Sequence, residues 1–242
     1  MIGLLKRAWN RRYPDWVAEV ALRYLPVADL LERDPPGGRL LEVGGNNFGL
    51  TRYLAHPVVG ADLSFGDRRS PLITPVRARG QALPFKNRSF EVTVCMDAME
   101  HVPAAQRDPF IKELLRVTGR RLFIGCPMGR AAERQDRMLH EYRRALGAAT
   151  VESLDEHLEH GLPQLDEVLA AIRAGASGEQ RAAEIRTYPN VNLLVHRLLM
   201  SLWMRTDRIS YLLHRLAVLL VHVRGRLNFG SCYRQIVMVS WK

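Results

Sequence analysis

Residues 39–54 read RLLEVGGNNFGLTRYL, and the fold turns on them. Leu40, Leu41 and Val43 form a short apolar run of the kind found in strands buried on both faces, with Glu42 near its carboxyl end. Gly44 and Gly45 permit a sharp turn and let a ligand approach the backbone closely. Leu50, Tyr53 and Leu54 follow at helical spacing. Strand, glycine turn and helix in that order predict a nucleotide cradle, with the helix N-terminus supplying free N–H groups. Tight turns of no special function share this pattern, so the next segment matters. Val58-Val59-Gly60-Ala61-Asp62 reads as a second strand ending in an acid, twenty residues after Glu42. In nucleotide-binding βαβ units an acid about that far on accepts hydrogen bonds from ribose hydroxyls. The plainer alternative is an Asp that opens a turn.

On the amino side, residues 2–33 read as helical with an interruption near Pro14; Leu5, Trp9 and Trp16 either cover a ligand mouth or pack on the core. Asp34-Pro35-Pro36-Gly37-Gly38 is a breaker leading into the first strand. On the carboxyl side, Leu63 to Pro71 is too short and broken for a crossover helix. Strands are expected at Ile73–Arg77, at Phe90–Met96 and at Arg121–Cys126, with a helix over 104–117. Alternating strands and helices over 39–127 predict a parallel sheet covered on both faces. The polar motif residues all follow strands, so they converge at the carboxyl edge, where open α/β sheets bind ligands. Beyond Gly129, helices are expected over 131–147, 164–174, 191–205 and 208–224, with a strand at Ala183–Tyr188 and a final one at Tyr233–Trp241.

The chain has 242 residues and an ordinary apolar and charged content, enough for one large domain or a domain with a cap. Cys95, Cys126 and Cys232 show no metal or disulfide spacing and fit a reducing, cytoplasmic setting. The opening MIGLLKRAWNRRYPDW does not read as a secretory signal, and no run is long enough to span a bilayer. The formal charge of +10 calls for an acidic partner, either nucleic acid, an anionic membrane surface or an acidic small molecule. Seven arginines and one acid, Asp207, fall between Ile185 and Leu227 among Leu, Val, Met and Trp, which is the composition of an amphipathic surface.

The run LPFKNRSFEVTVCMDAMEHVP, Leu83 to Pro103, resembles the signature of the class I S-adenosylmethionine-dependent methyltransferases, in particular the broad small-molecule group. The resemblance covers about residues 38–128, with Tyr233 to Trp241 as the last strand. It implies a Rossmann-like α/β fold, a mostly parallel seven-stranded sheet with helices on both faces and a helical cap. A single domain is expected, with an N-terminal helical segment over 1–34, a core over about 35–129 completed by a strand at about 232–242, and the cap over about 130–230. The implied cofactor is S-adenosyl-L-methionine. By the resemblance, Glu42, Gly44, Gly45 and Asn46 form the turn facing its methionine portion, and Asp62 holds the ribose. Leu63 lies against adenine, Gln81 and Ala82 flank the adenine edge, and Met96 and Asp97 line the cofactor beneath the sulfonium. Two departures stand out. The second glycine of the first motif is Asn46, with Phe48 at the third position and Gly49 adjacent, and an acid frequent before the adenine loop is Arg79. Asn tolerates positive φ, so the turn can survive.

Methyl transfer from a sulfonium is an in-line displacement that needs positioning and, for a hydroxyl or amine, removal of a proton. His101 is the candidate base, or else it packs beneath the cofactor. Asp97, Glu100 and His101 together offer a divalent-ion site, as in some quinone-ring and RNA-end methyltransferases, with His140, His157 or His160 from the cap completing it. Cys126 fits a buried structural thiol. The Pro-Cys and Pro-Pro-aromatic runs of nucleobase methyltransferases are absent, which argues against a base acceptor. The expected function is methylation of a small or lipid-linked acceptor, oxygen slightly favoured, with peripheral contact to an anionic membrane left open. RNA methylation and a non-catalytic binding role remain as alternatives, and nothing in the sequence fixes the oligomeric state.

Overall fold

The computed structural model describes Trp9, residues 12–14, 16–178 and 182–241; Leu5 lies outside them. Helix α1 (Ala18–Arg33) precedes strands β1 (Leu40–Val43), β2 (Val58–Asp62), β3 (Ile73–Arg77) and β4 (Phe90–Met96). Then come α2 (Ala104–Val117), β5 (Thr118–Pro127), α3 (Arg130–Ala145), α4 (Glu152–His160), α5 (Leu165–Gly178) and β6 (Ala183–Asn192). Helices α6 (Leu193–Met204) and α7 (Arg208–Leu216), a 3-10 stretch over Ala217–Leu227 and β7 (Cys232–Trp241) complete the chain. The seven strands form one sheet in the order β3-β2-β1-β4-β5-β7-β6. All neighbours are parallel except β7, which runs antiparallel to both β5 and β6.

The apolar runs sit where their period-two alternation sends them. Leu41, Val43, Cys95, Leu122 and Ile124 face a core shared with Phe110, Ile111 and Leu114 of α2 and with Val168 and Ile172 of α5. Leu40, Val92, Val94, Met96 and Phe123 face the other way, against Tyr24, Val27, Ala28 and Leu31 of α1. Trp9 and Trp16 pack in a third cluster with Tyr13, α6 and the 3-10 stretch, so of their two expected roles the structure takes packing.

Four elements differ from expectation. The helix expected after the glycine turn is a single 3-10 turn, Gly49–Arg52. Pro57 comes too soon for more, since it biases His56 to an extended backbone. Strand β6 runs through Pro189 to Asn192, which an edge strand tolerates because the missing N–H faces away from a ladder. The stretch 130–230 is not a continuous helical cap. Helix α5 belongs to the sheet's core layer and β6 to its edge, which leaves α3, α4, α6 and α7 as the cover. Helix α4 lies mostly in a stretch, 148–158, for which no element was expected, because its sequence ESLDEHLEH buries just Leu154 and His157. Among the described residues no helix is long and apolar enough to cross a membrane.

Candidate cofactor and acceptor site

The turn after β1 is built around Glu42. Its side chain is buried, and both carboxylate oxygens accept from the Leu50 N–H at 3.0 Å. Burial pushes its pKa up to about 7, against the pull of the Leu50 N–H and the Tyr24 hydroxyl. Glu42 therefore shapes the loop from inside. A Cβ at Gly45 would lie 2.2 Å from its Cδ, and one at Gly49 2.3 Å from its oxygens. Gly44 has φ +80°, and a Cβ there would meet the Ala98 Cβ at 2.4 Å. The shifted glycine of the motif is thus Gly49, while Asn46 adopts φ +52° in place of the glycine expected there. Its N–H donates to Asp62 Oδ2 at 2.9 Å, which ties the end of β2 to the loop.

These groups surround a cleft of about 290 Å³ lined by residues 44–49 and by Val20, Arg23, Tyr24 and Arg52. Leu63, beyond Asp62, is 71% exposed, an apolar side chain open to a flat ring. Gln81 donates from Nε2 to Gln106 Oε1, and Ala82 closes a small bridge with Arg79 on the loop after β3. Met96 is placed otherwise than expected. Its side chain is buried in the core beside Gly125 and Ile236, because, like Val92 and Val94, it faces the α1 side of the sheet. A larger cleft of about 880 Å³ lies near Leu30, Arg121, Tyr188 and Trp241, at the amino ends of the parallel strands, and holds no motif residue. The carboxyl edge is where such sheets bind ligands, and the smaller cleft is the one there.

A model of the methyltransferase domain family matches residues 41–121, from β1 into β5. Residues 41–121 thus carry a methyltransferase domain. Solved structures share the fold. A methyltransferase of Thermotoga maritima is 14% identical over the whole of both chains, with a TM-score of 0.55. A phosphoethanolamine N-methyltransferase of Haemonchus contortus, solved with phosphomonomethylethanolamine and S-adenosylhomocysteine, is 13% identical over 90% of this chain and 52% of its own, with a TM-score of 0.52. The magnesium protoporphyrin IX methyltransferase of Synechocystis, with S-adenosylhomocysteine bound, is 13% identical over 92% of this chain and 83% of its own, at 0.51. At such identities the likeness is one of fold. No curated protein matches the chain.

The cradle of this methyltransferase suits its cofactor. Gly44 and Gly45 leave the backbone bare, Asp62 presents acceptors at the strand end, and Leu63 stands open beside them. S-adenosylmethionine supplies an electrophilic methyl on a sulfonium; the chain's task is to hold it against the acceptor. Helix α1 brings Arg23 and Tyr24 to the cleft, and neither stood out in the sequence. An arginine within an apolar helix was the available signal.

Next to the cleft, β4 is followed by Asp97, at φ +45°. Its carboxylate is not free to hold an ion. Arg234 on β7 donates to it twice, at 2.7 and 2.6 Å, and Arg23 Nε lies 2.8 Å from Oδ2. Burial opposes the charge, but Arg23 and Arg234 outweigh it and hold the carboxyl below its ordinary range. The expected set Asp97, Glu100 and His101 is thereby corrected, because two arginines already occupy the acid. Instead the donor atoms of Glu100, His101 and His157 lie within 4.8 Å of one another. Burial, then the charge of Asp97, push the Glu100 carboxyl well up. His101 Nδ1 pairs with Glu156 at 2.5 Å, and burial followed by the nearby His157 lowers its pKa. His157 Nδ1 meets the buried Asp136 at 2.8 Å, and Asp136 also accepts from the Tyr233 hydroxyl at 2.8 Å. Of the other cap histidines, His140 pairs with Asp155, and His160 offers its carbonyl to Arg107. Cys126 is buried, as a structural thiol should be.

Proposed function

We propose that this methyltransferase acts on a small or lipid-linked acceptor that it meets at an anionic membrane surface, with oxygen the favoured atom, and that residues 44–46, Asp62, Leu63, Gln81 and Ala82 hold its cofactor. The observation that carries the acceptor reading is the face of α7. Ile209, Leu212, Leu213 and Leu216 are 73%, 57%, 47% and 43% exposed. They follow one another at i, i+3, i+4 and i+7, the spacing of a single helix face. A surface helix ordinarily turns that face inward. Here the inward side carries Ser210 and His214, whose Nε2 lies 2.9 Å from Glu19. Leu194, Leu198 and Trp203 of α6 are exposed as well, with Arg197, Arg208 and Arg226 in the same segment.

Four partly exposed aliphatic side chains gain on the order of 5 kcal/mol gross on burial, and each arginine near an anionic surface adds about 1 kcal/mol. That is enough for reversible, salt-sensitive attachment. The test is cosedimentation with vesicles of phosphatidylcholine and phosphatidylglycerol. Binding is expected at low salt and should weaken as salt rises. The pair Arg197→Glu and Arg208→Glu should abolish it with cofactor affinity intact. If the wild-type protein ignores these vesicles and binds RNA at the same salt, the acceptor is RNA and the reading fails.

A further inference from the structure

Arg121 sits on β5, an interior strand of the sheet, and is only 6% exposed. Arginine is almost never buried so deeply unless it is paired, and here the pairing is incomplete. One terminal nitrogen lies 3.2 Å from Asp34 Oδ2, and the other donates to the Asp34 carbonyl. The Nε–H is shut off from solvent and has no partner among the described residues. The carboxylate is shared as well. Asp34 lies 2.6 Å from Arg120, and its side chain is half exposed. A buried donor left without an acceptor is costly, and an incoming oxyanion relieves that cost.

Arg121 lines the cleft of about 880 Å³ at the amino ends of the parallel strands. That volume falls within the roughly 300–1,000 Å³ typical of small-molecule sites. Arg33, Arg120 and Arg186 line it too, against the carboxylates of Asp34 and Glu184. Both acids are already engaged, Asp34 by Arg120 and Glu184 by Arg186. Glu91 accepts from Arg120 from outside the lining, and positive charge is still in excess. The rest of the wall includes Leu30, Met238, Tyr188 and Trp241. A guanidinium fork matches the geometry of a carboxylate or phosphate, and an aromatic wall suits a flat ring. We propose that this cleft is a second ligand site, for a small aromatic carboxylate or phosphate whose oxyanion meets Arg121 and whose ring lies against Tyr188 and Trp241.

The site stands apart from methyl transfer. Helix α1 spans the two clefts, with Val20, Arg23 and Tyr24 at the cofactor cleft and Leu30 and Arg33 at this one. From Val20 to Leu30 is about 15 Å of helix, so a small anion bound here leaves the glycine loop clear.

The test is calorimetric titration of the full chain with 1-naphthyl phosphate, with and without saturating S-adenosylhomocysteine. One equivalent should bind in both cases, at least about 10-fold more tightly than inorganic phosphate or 1-naphthol, since each lacks half of what the cleft recognises. 2-Naphthoate, run alongside, distinguishes a carboxylate ligand from a phosphate one, and binding of either supports the site. Arg121→Met should weaken binding about 10- to 100-fold, the usual effect of losing hydrogen bonds to a charged group. Arg186→Glu, at an exposed side chain, should leave the sheet intact and weaken binding about 10-fold by reversing one charge. Folding of each variant is checked by far-ultraviolet circular dichroism. No binding of either anion at millimolar concentration, equal binding of inorganic phosphate or 1-naphthol, or unchanged affinity in a folded Arg186→Glu protein overturns the proposal. Binding that S-adenosylhomocysteine abolishes puts the probe in the cofactor cleft and overturns it as well.

Discussion

Glu42→Gln should abolish a pH dependence of stability that the wild-type chain carries. The Glu42 carboxyl is buried beneath the loop that it organises, and it releases its proton near pH 7 where the free side chain does so near 4.5. At about 1.4 kcal/mol for each tenfold change in proton affinity, the folded chain holds that proton more tightly than the unfolded chain by about 3 kcal/mol. The sign follows from linkage. Because the folded-state pKa is raised, the stabilisation is complete below pH 4.5 and is lost as the pH rises through 7. Glutamine keeps an oxygen for the Leu50 N–H but does not ionise. Urea unfolding at pH 5, 6, 7 and 8 should therefore show wild type losing ground to Glu42→Gln by about 2.5 kcal/mol across the series, most of it between pH 5 and 7, with the curves levelling above pH 7. Parallel pH profiles for the two proteins would refute the reasoning and show that the carboxylate is solvated or paired in the folded chain.

Gly44→Ala should cost about 2–4 kcal/mol, since it combines a left-handed backbone with a Cβ driven into Ala98; Gly147→Ala, at φ +65° with nothing within 4 Å, should cost only about 1–2 kcal/mol, and equal losses in chemical denaturation would contradict the steric argument. Arg234→Met leaves Asp97 with Arg23 as its one remaining arginine partner among the described residues, in a buried setting, and should destabilise the chain by about 3 kcal/mol at pH 7, the loss shrinking at low pH as Asp97 takes up a proton; a loss unchanged between pH 7 and pH 3 would assign it to packing.

The strands and their ends were legible because burial on both faces writes itself as unbroken apolar runs, and β1 to β5 fall where those runs fall. The glycine turn was legible in kind and wrong in its sequel, because Leu50, Tyr53 and Leu54 satisfy helical spacing within a single 3-10 turn. Asn46 at positive φ was anticipated from its short side chain; that Gly49 takes over the clearance above Glu42 was not, since that depends on where a buried carboxylate folds. The acceptor side was least legible. Asp97, Glu100 and His101 stand together in sequence, but Arg23 comes from seventy-four residues earlier and Arg234 from one hundred and thirty-seven later to claim the acid. His157, one of three cap histidines named from the sequence, arrives on α4, whose charged sequence hid the helix and gave no sign which of the three would be buried. Long-range ion pairs of this kind leave no periodicity to read.

The central claim is that the loop after β1 and the acid at the end of β2 hold S-adenosylmethionine, and calorimetric titration of S-adenosylhomocysteine into wild type and Asp62→Ala tests it most directly. Wild type should bind one equivalent, and ligand at 100 times Kd should stabilise the fold by about 2.7 kcal/mol. Asp62→Ala should remain folded and bind more weakly by on the order of 1.5–3 kcal/mol, the worth of a hydrogen bond to a charged group. Equal affinity in the two proteins would remove Asp62 from the site, and no binding by wild type at millimolar ligand would mean that the chain uses the methyltransferase fold without its cofactor.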